Sequence, residues 1–253
     1  MEEKVKYLNI SGELKKQLVN CVHKAVCDDI LLDYYRSGLT RRKSNSYHVR
    51  KWDFIYDNLM NLNSELVTVG YTTRNPWHLA VLFDHTTQTI CAVMRENRFR
   101  ALSGSRQKVH HYVTSLAACF NYDVDNGQYH LEGFEETPNE EIKRSVNKIC
   151  SDIGILSDCV ERFALVLFSE KNNVLTDIKL CAVNSRFEIC EAIDLCEYID
   201  IGDEVSAHID AATETFTDEN PTKVKLTTKS RERIKKRNSP SVALLEKTTL
   251  QQG

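Results

Sequence analysis

The chain has 253 residues, of which 42% are hydrophobic and 27% are charged, and its formal net charge is −3. This composition is typical of a globular protein with a buried core, and it excludes a wholly disordered chain. No apolar run approaches the roughly 20 residues that cross a bilayer, and the N-terminal segment lacks the features of a secretory signal. We therefore expect a cytoplasmic protein that does not enter a membrane.

The first half of the sequence predicts a helical unit followed by a small sheet. Apolar residues recur every four positions, which predicts a helix that begins at Ser11 and ends at Gly38, and a second helix is predicted over 51–63. β-Branched and aromatic residues then predict three strands of an antiparallel meander, at 65–71, 77–84 and 89–96. A helix over 105–121 closes this unit.

The second half repeats parts of this pattern. Residues 139–156 predict a helix with Asn139 as its N-cap. Strands follow at 162–170 and 175–184, and 192–199 is a short helix or a last strand. Residues 79–99 and 164–187 share an apolar strand that ends in Leu-Phe, a polar turn, Cys-Ala-Val and Arg-Phe. Such similarity is typical of an internal duplication, although any two hairpins share some letters.

The predicted fold class is α+β, with a helical N-terminal unit, an antiparallel sheet built from two helix–hairpin units, and a disordered basic C-terminal tail. The predicted organisation is a helical unit at 1–63, a first hairpin unit at 64–121, a linker at 122–138, a second hairpin unit at 139–210, and a disordered acidic-to-basic tail at 211–253.

The nine cysteines have no C-x-x-C spacing, which favours buried, reduced thiols over disulfides or metal ligands.

Charge is distributed unevenly along the chain. Residues 187–220 contain eleven acidic residues and no Lys or Arg, whereas 221–253 contain nine Lys or Arg and two Glu. Two further basic segments lie at 34–52 and 95–108. Basic residues interleaved with aromatic and small polar residues are typical of surfaces that hold a phosphate backbone. Solvated loops on an acidic protein have the same composition, so both interpretations stay open.

One catalytic interpretation is a nuclease that depends on a divalent metal such as Mg²⁺. Asp84, Glu96 and Arg98 follow the order of an Asp on one strand and a Glu-x-Lys motif on the next, in which carboxylates hold the metal near a phosphate. However, Asp84 lies at the turn end of its strand and Glu96 at the far end of the next strand. That separation is too long for one ion to bridge. We therefore expect no catalytic residue and no cofactor, with the metal-dependent nuclease as the alternative.

Several motifs resemble a known family. They are a helical His-x-Ala…Asp-Asp-Ile segment from His23, an Arg-x-Trp-Asp helix start at Arg50, a Trp-led strand ending at Asp84, and a Met-Arg-Glu-x-Arg-Phe strand end at Met94. In these motifs the chain resembles bacterial proteins grouped as a domain of unknown function, over most of 20–200 and the basic tail. The resemblance implies a small soluble bacterial protein and supplies no catalytic residues.

The sequence therefore predicts a non-enzymatic regulatory or interaction protein of a bacterium or its mobile elements. It is expected to contact nucleic acid or an acidic protein partner through its basic segments. The residues expected to make this contact are Arg41, Arg42, Lys43, Arg50, Lys51, Arg95, Arg98, Arg100, Arg106, Lys108, Arg231, Arg233, Lys235, Lys236 and Arg237.

Overall fold

The computed structural model describes residues 6–38, 46–74, 77–105, 111–124 and 138–199. These residues belong to one compact unit within 1–202. The predicted tail at 211–253 lies outside the described residues, as does most of the predicted linker. None of the described helices is both long and apolar enough to cross a membrane.

A six-stranded sheet forms the middle of the fold, with its strands arranged in chain order. The strands are β1 (Val67–Arg74), β2 (Trp77–Asp84), β3 (Thr89–Arg95), β4 (Arg162–Lys171), β5 (Val174–Val183) and β6 (Ile189–Asp194). All neighbours are antiparallel except β3 and β4, which run parallel with Cys91 opposite Ala164. The α+β prediction is confirmed, but the sheet is not wholly antiparallel: two meanders meet at one parallel pair. Parallel neighbours need a long crossover, and residues 96–161 supply it.

The described residues contain six α-helices. They are α1 (Gly12–His23), α2 (Ile30–Ser37), α3 (Tyr47–Met60), α4 (Glu96–Ser103), α5 (Tyr112–Phe120) and α6 (Glu140–Asp152), and a π-helical segment, Lys24–Asp29, joins α1 to α2. The predicted caps are present. The Ser11 side chain accepts a hydrogen bond from the Leu14 N–H at 3.1 Å, and the Asn139 side chain accepts one from the Ile142 N–H at 2.8 Å. Gly38 ends α2 with φ of +62°, a conformation that suits glycine.

Helices cover both faces of the sheet. On one face, Leu18 of α1 and Ile55 of α3 pack in a core with Val166 and Leu180. On the other face, Leu116 of α5 and residues of α4 and α6 form a second core that includes Leu165. The fold is therefore a three-layer arrangement with the sheet in the middle. Burial on both faces explains why the central strand β4 reads as a continuous apolar run rather than an alternating one.

The segment after β3 differs from the prediction. The sequence predicts a strand end at residues 95–99 and one helix over 105–121, whereas α4 begins at Glu96 and α5 begins only at Tyr112. Phe99 and Leu102 are three positions apart, which places both on one helix face, and both are buried in the second core. The burial of this pair on one face favours a helix over a continued strand.

The two similar hairpins lie in opposite orientations in the sheet. Val81 and Phe83 of β2 face the second core, whereas the matching Val166 and Phe168 of β4 face the first core. Residues at matching positions of the two segments therefore lie in different cores. Their common apolar character reflects burial on both faces of one sheet.

All nine cysteines are free, but the predicted burial holds for only some of them: Cys159 is exposed, and Cys119, Cys190 and Cys196 are only partly buried. Cys21, Cys27, Cys91, Cys150 and Cys181 are buried. Burial raises the pKa of the Cys21 and Cys150 thiols to about 11 and that of Cys181 to about 12. These three thiols are therefore protonated and unreactive at neutral pH.

Candidate functional site

The carboxyl ends of β3 and β4 lie side by side, with Arg95 opposite Phe168. From this point β3 leads into α4, on the face of the second core, whereas β4 turns back into β5. In open sheets with parallel strands, ligands usually bind beyond the carboxyl ends, where the connections diverge. Charged side chains converge at this position, and we take it as the candidate site.

One half of the site is an ion-pair triad on the face covered by α1 and α3. Glu170 of β4 accepts from the Lys51 ammonium of α3 at 2.6 Å through Oε2, and its Oε1 lies 2.6 Å from Nη2 of Arg95. The Lys51 side chain is only 3% exposed, against 13% for Glu170 and 20% for Arg95. Burial lowers the pKa of the Lys51 ammonium, although the hydrogen bond that it donates to Glu170 opposes this effect. The Glu170 carboxylate thus forms ion pairs with two largely buried cations.

Aromatic rings surround this triad. The Lys51 ammonium lies 4.6 Å from the centre of the Tyr47 ring, and the Arg95 guanidinium lies 5.9 Å from the centre of the Trp52 ring. Tyr47 also bonds through its hydroxyl to the side chain of Asn173 in the β4–β5 turn. The triad and these rings therefore hold α3 against the end of the sheet.

The other half of the site centres on Glu96, the first residue of α4. Its carboxylate accepts from Lys179 at 2.8 Å, from Ser169 at 2.8 Å and from Arg100 at 2.9 Å. The hydrogen bond from Lys179 is the largest of the effects that lower the pKa of Glu96 to about 2. Glu96 is therefore an ionised carboxylate that ties α4 to β4 and β5.

We define the strand-end cluster as Lys51, Arg95, Glu96, Glu170 and Lys179. It holds three cations and two anions, so its formal charge is +1. The Nε of Arg95 is buried and has no hydrogen-bond partner among the described residues. Nη2 of Arg95 is close to Glu170 but is likewise buried without a properly aligned hydrogen bond. The cluster therefore has one surplus positive charge and, at Nε of Arg95, one buried donor without a partner among the described residues.

Most of the predicted basic residues that the structure describes are engaged in ion pairs. Arg50 pairs with Asp33 of α2, and Arg100 pairs with Glu96. Arg98, in the first turn of α4, is exposed and has no ion pair with any described residue. The remaining predicted contacts lie outside the described residues: Arg41, Arg42, Lys43, Arg106, Lys108, Arg231, Arg233, Lys235, Lys236 and Arg237.

The structure does not bring together the carboxylates of the nuclease interpretation. Asp84 is buried at the end of β2, where it accepts from the backbone N–H of Thr86 at 2.9 Å and the hydroxyl of Thr87 at 2.7 Å. It pairs across the hairpin with Thr89, at the start of β3, whereas Glu96 follows the last residue of that strand. Seven positions in an extended strand span roughly 23 Å. Asp84 stabilises a turn, and Glu96 belongs to the strand-end cluster.

A second group of possible metal ligands lies beside the cluster. Asp177, Asp194 and Cys196 present atoms within 4.8 Å of one another. However, Asp177 already faces the Lys179 ammonium at 3.3 Å, and Asp194 accepts from the backbone N–H of Cys196 at 2.8 Å. Because these groups are satisfied within the protein, we assign no metal to them.

Glu170 and Lys179 are site residues that were not predicted from the sequence. Each is a single charged residue in or after an apolar strand, and such residues usually face solvent. One signal was available for Lys179, because it is the only charged residue in the segment Ile178–Val183 of a strand that otherwise reads as buried on both sides. Its partner Glu96 could not be identified from sequence, since the two residues are 83 positions apart.

Comparison with known proteins identifies the family but no characterised relative. The model of a family of unknown function, DUF5986, matches residues 7–244, so the chain belongs to that family. No curated protein and no solved structure matches the chain.

Proposed function

We propose that this member of the family is a non-enzymatic nucleic-acid-binding protein of a bacterium or its mobile elements, acting in the cytoplasm. The observation that carries the proposal is the basic segment at 34–52, which holds six Lys or Arg and no acidic residue. The bacterial and cytoplasmic setting rests on the sequence alone and is part of the same proposal.

The contacts between the two helices that flank residues 39–45 support the proposal. The central residues of the basic segment, 39–45, connect α2 to α3, and these helices are held together where they flank the connection. Tyr34 and Tyr47 make an edge-to-face contact with ring centres 5.1 Å apart, and Arg50 pairs with Asp33. The helix ends on either side of residues 39–45 are therefore held together by contacts within the described part of the chain.

Two exposed residues at the end of α2 belong to the same basic segment. Tyr35 is 73% exposed, and the neighbouring Arg36 is also exposed. An exposed aromatic ring beside cations is the combination that stacks a base while holding the backbone. Arg98 and Arg100 are less suited to the same contact, because their helix α4 covers the opposite face of the sheet from α3.

The test is binding of fluorescently labelled RNA and DNA, single- and double-stranded, measured by anisotropy between 50 and 200 mM salt. We expect salt-sensitive binding of at least one of these nucleic acids. Replacement of Arg41, Arg42 and Lys43 by Gln is expected to weaken it about tenfold or more and to flatten the salt dependence, because each lost phosphate contact lowers the slope by about 0.7–0.9.

The matched control removes three positive charges elsewhere, by Lys143→Gln, Arg144→Gln and Lys148→Gln on α6. If this variant loses as much affinity as the first, binding reflects net charge only and the proposed surface is wrong. If the unaltered protein binds no nucleic acid at all, the proposal fails and an acidic protein becomes the partner to seek. Cleavage that requires Mg²⁺ or Mn²⁺ would instead support the nuclease alternative.

A further inference from the structure

We propose that the outer edge of β1, from Tyr71 to Thr73, binds an extended segment of a partner protein, with a Lys or Arg of that segment facing α3. This surface differs from the basic segment at 34–52, and its ligand is a protein chain and not a nucleic acid. It therefore adds a second binding activity to the proposed function and does not depend on the first.

The outer edge of β1 is closed along its first half. β1 is an edge strand of the sheet, and in an antiparallel pair every second residue turns its N–H and C=O away from the partner strand. The side-chain amide of Asn63 accepts a hydrogen bond from the Val69 N–H at 2.7 Å and donates one to the Val69 C=O at 3.2 Å. The Ser64 N–H donates to the Val67 C=O at 2.9 Å. The odd-numbered residues of β1 therefore face outward, and the segment before the strand satisfies the first of them.

The second half of the same edge is open. The backbone groups of Tyr71 and Thr73 point outward like those of Val69, because the pairing of β1 with β2 continues without a shift. Among the residues that the structure describes, none bonds to the N–H or C=O of Tyr71 or Thr73. Unpaired edges bind extended chains, and proteins usually block them. Here the block ends at Val69, and the donors and acceptors beyond it form the pattern that β-strand addition uses.

Aromatic rings lie beside the open half of the edge. Tyr71 is 37% exposed and Thr73 is exposed as well, so a ligand has access to both residues. The Tyr71 ring makes edge-to-face contacts with Tyr56 of α3, at 6.1 Å between ring centres, and with His78 of β2, at 6.3 Å. Trp52 lies one helical turn before Tyr56, at 5.6 Å between ring centres. These contacts hold the Tyr71 ring in place, so little side-chain entropy is lost when a ligand covers it.

Two exposed carboxylates of α3 determine the charge of the ligand. Asp53 and Asp57 are four positions apart, which places them on one face of the helix. Neither forms an ion pair with a described residue. Burial and the charges of Asp57 and Asp53 raise the pKa of the Tyr71 hydroxyl, so both carboxylates act on this ring. A ligand residue opposite Tyr71 has its side chain on the same face of the sheet. A Lys or Arg at that position meets an aromatic ring and two carboxylates.

The same charges disfavour two other occupants of this edge. Asp53 and Asp57 repel a phosphate backbone. A second copy of the chain, paired antiparallel about a twofold axis, would have its own α3 carboxylates on the same side of the joined sheet, where like charges repel. A cationic segment of a partner protein is the occupant whose charge complements the surface.

The test follows the backbone amide resonances of the ¹⁵N-labelled full chain during titration with the blocked peptide acetyl-Thr-Val-Arg-Val-Thr-amide. We expect saturable shifts and slower hydrogen exchange at Tyr71 and Thr73, and no change at Ala192 of the opposite edge strand, β6. Absence of saturable shifts at Tyr71 and Thr73 would overturn the proposal.

Two altered peptides separate charge from backbone pairing. The first has Glu in place of Arg, and the second is N-methylated at its Arg and at both Thr residues, so it keeps the side chains but loses the donors that pair with the edge. Neither is expected to bind saturably. A response to either peptide equal to that of the original would overturn the proposal, because it would show that the cation or the strand pairing is not needed.

Substitutions in the protein test the same two elements. Thr73→Pro removes an outward N–H that the pairing with β2 does not use, so it is expected to fold and to abolish saturable binding, whereas Thr73→Ala is expected to bind. Asp53→Asn combined with Asp57→Asn is expected to weaken binding about fivefold. The matched control, Glu140→Gln with Glu141→Gln on α6, should bind as the unaltered chain does. Equal affinity of the two Thr73 variants would overturn the site, and if Thr73→Pro does not fold, the N-methylated peptide decides.

The protein without peptide gives further outcomes. If the amides of Tyr71 and Thr73 exchange slowly before any peptide is added, another segment of the chain already holds the edge and the proposal is wrong. If their protection increases with protein concentration, the occupant is a second copy and the proposal is also wrong. Saturable shifts of these amides with oligothymidylate would assign the edge to nucleic acid and would overturn the proposal as well.

Discussion

Glu96 shows at the scale of one residue how a carboxylate that resembles a metal ligand can act as a structural anchor. It accepts hydrogen bonds from three side chains on three different elements, and these bonds stabilise its ionised form. For Glu96→Gln we expect the free energy of unfolding at pH 7 to fall by about 1–3 kcal/mol, since hydrogen bonds to a charged group contribute on that scale.

The stability that Glu96→Gln is expected to lose depends on pH. The folded-state pKa of Glu96 lies near 2, below its ordinary value of 4.5, so the stabilisation is fully present above about pH 4.5 and disappears as the pH falls towards 2. Urea unfolding at pH 7, 4 and 3 should therefore show the two proteins converging in stability. Glu140→Gln serves as the control, because its ion pair with Lys143 is exposed and contributes little. A constant difference across this pH range would contradict the assignment.

Individual contact residues were only partly predictable from the sequence. Arg50, Lys51, Arg95 and Arg100 were recognised as positive charges in basic segments, but their partners come from distant parts of the chain. Glu170 is 119 positions from Lys51. A single sequence contains the charges but not the tertiary distances that neutralise them, so buried ion pairs and free binding residues look alike.

At the scale of elements, the contact between β1 and α6 depends on a missing side chain. A Cβ added at Gly70 of β1 would lie 2.9 Å from Cγ2 of Ile153, just after α6, and 3.1 Å from its Cα. We expect Gly70→Ala to push this end of α6 away from the sheet and to lower the free energy of unfolding by about 1–3 kcal/mol, as overpacking does.

Thermal and urea unfolding would measure this change. The control is Gly104→Ala at the end of α4, where an added Cβ meets nothing within 4 Å and φ is −85°. That variant should differ from the unaltered protein by less than about 0.5 kcal/mol. Equal stability of the two variants would show that α6 does not press on Gly70.

Elements with strong local signals were predicted well. The caps at Ser11, Gly38 and Asn139 and the bounds of β2 all depend on neighbouring residues and were correct. The helix α4 was missed because its eight residues contain three charges in the first five positions, which mask the buried pair Phe99 and Leu102. The register of the β4–β5 pair, with its irregularity at Ser169 and Glu170, has no local signature either.

At the scale of the whole molecule, the two meanders form one sheet and not two separate domains. Hydrogen exchange should show that the sheet is one cooperative unit, because the central strands β3 and β4 are covered on both faces and paired on both edges. We expect peptides covering 89–95 and 162–168 to exchange most slowly and together, and those covering the edge strands β1 and β6 to exchange faster. Slow exchange in β1–β3 with rapid exchange throughout β4–β6 would indicate independent units.

The whole-molecule topology was the least predictable feature. Alternating apolar residues identified the strands, and tight turns identified the hairpins. Nothing in the sequence specified that β3 would pair in parallel with β4, since that pairing depends on the path of the crossover and on both helical layers.

The parallel pair at the centre of the sheet also sets the order in which the chain can fold. During synthesis, β3 is complete at residue 95, but its partner begins only at residue 162, so 66 residues must be made before the pair can close. Until then the apolar strand from Thr89 to Arg95 presents an unpaired edge, which is a template for wrong pairing. Closure over such a distance is entropically slow. The middle of the mature sheet is thus the strand pair that must wait for the longest stretch of intervening chain, and β3 keeps an unpaired edge throughout that interval.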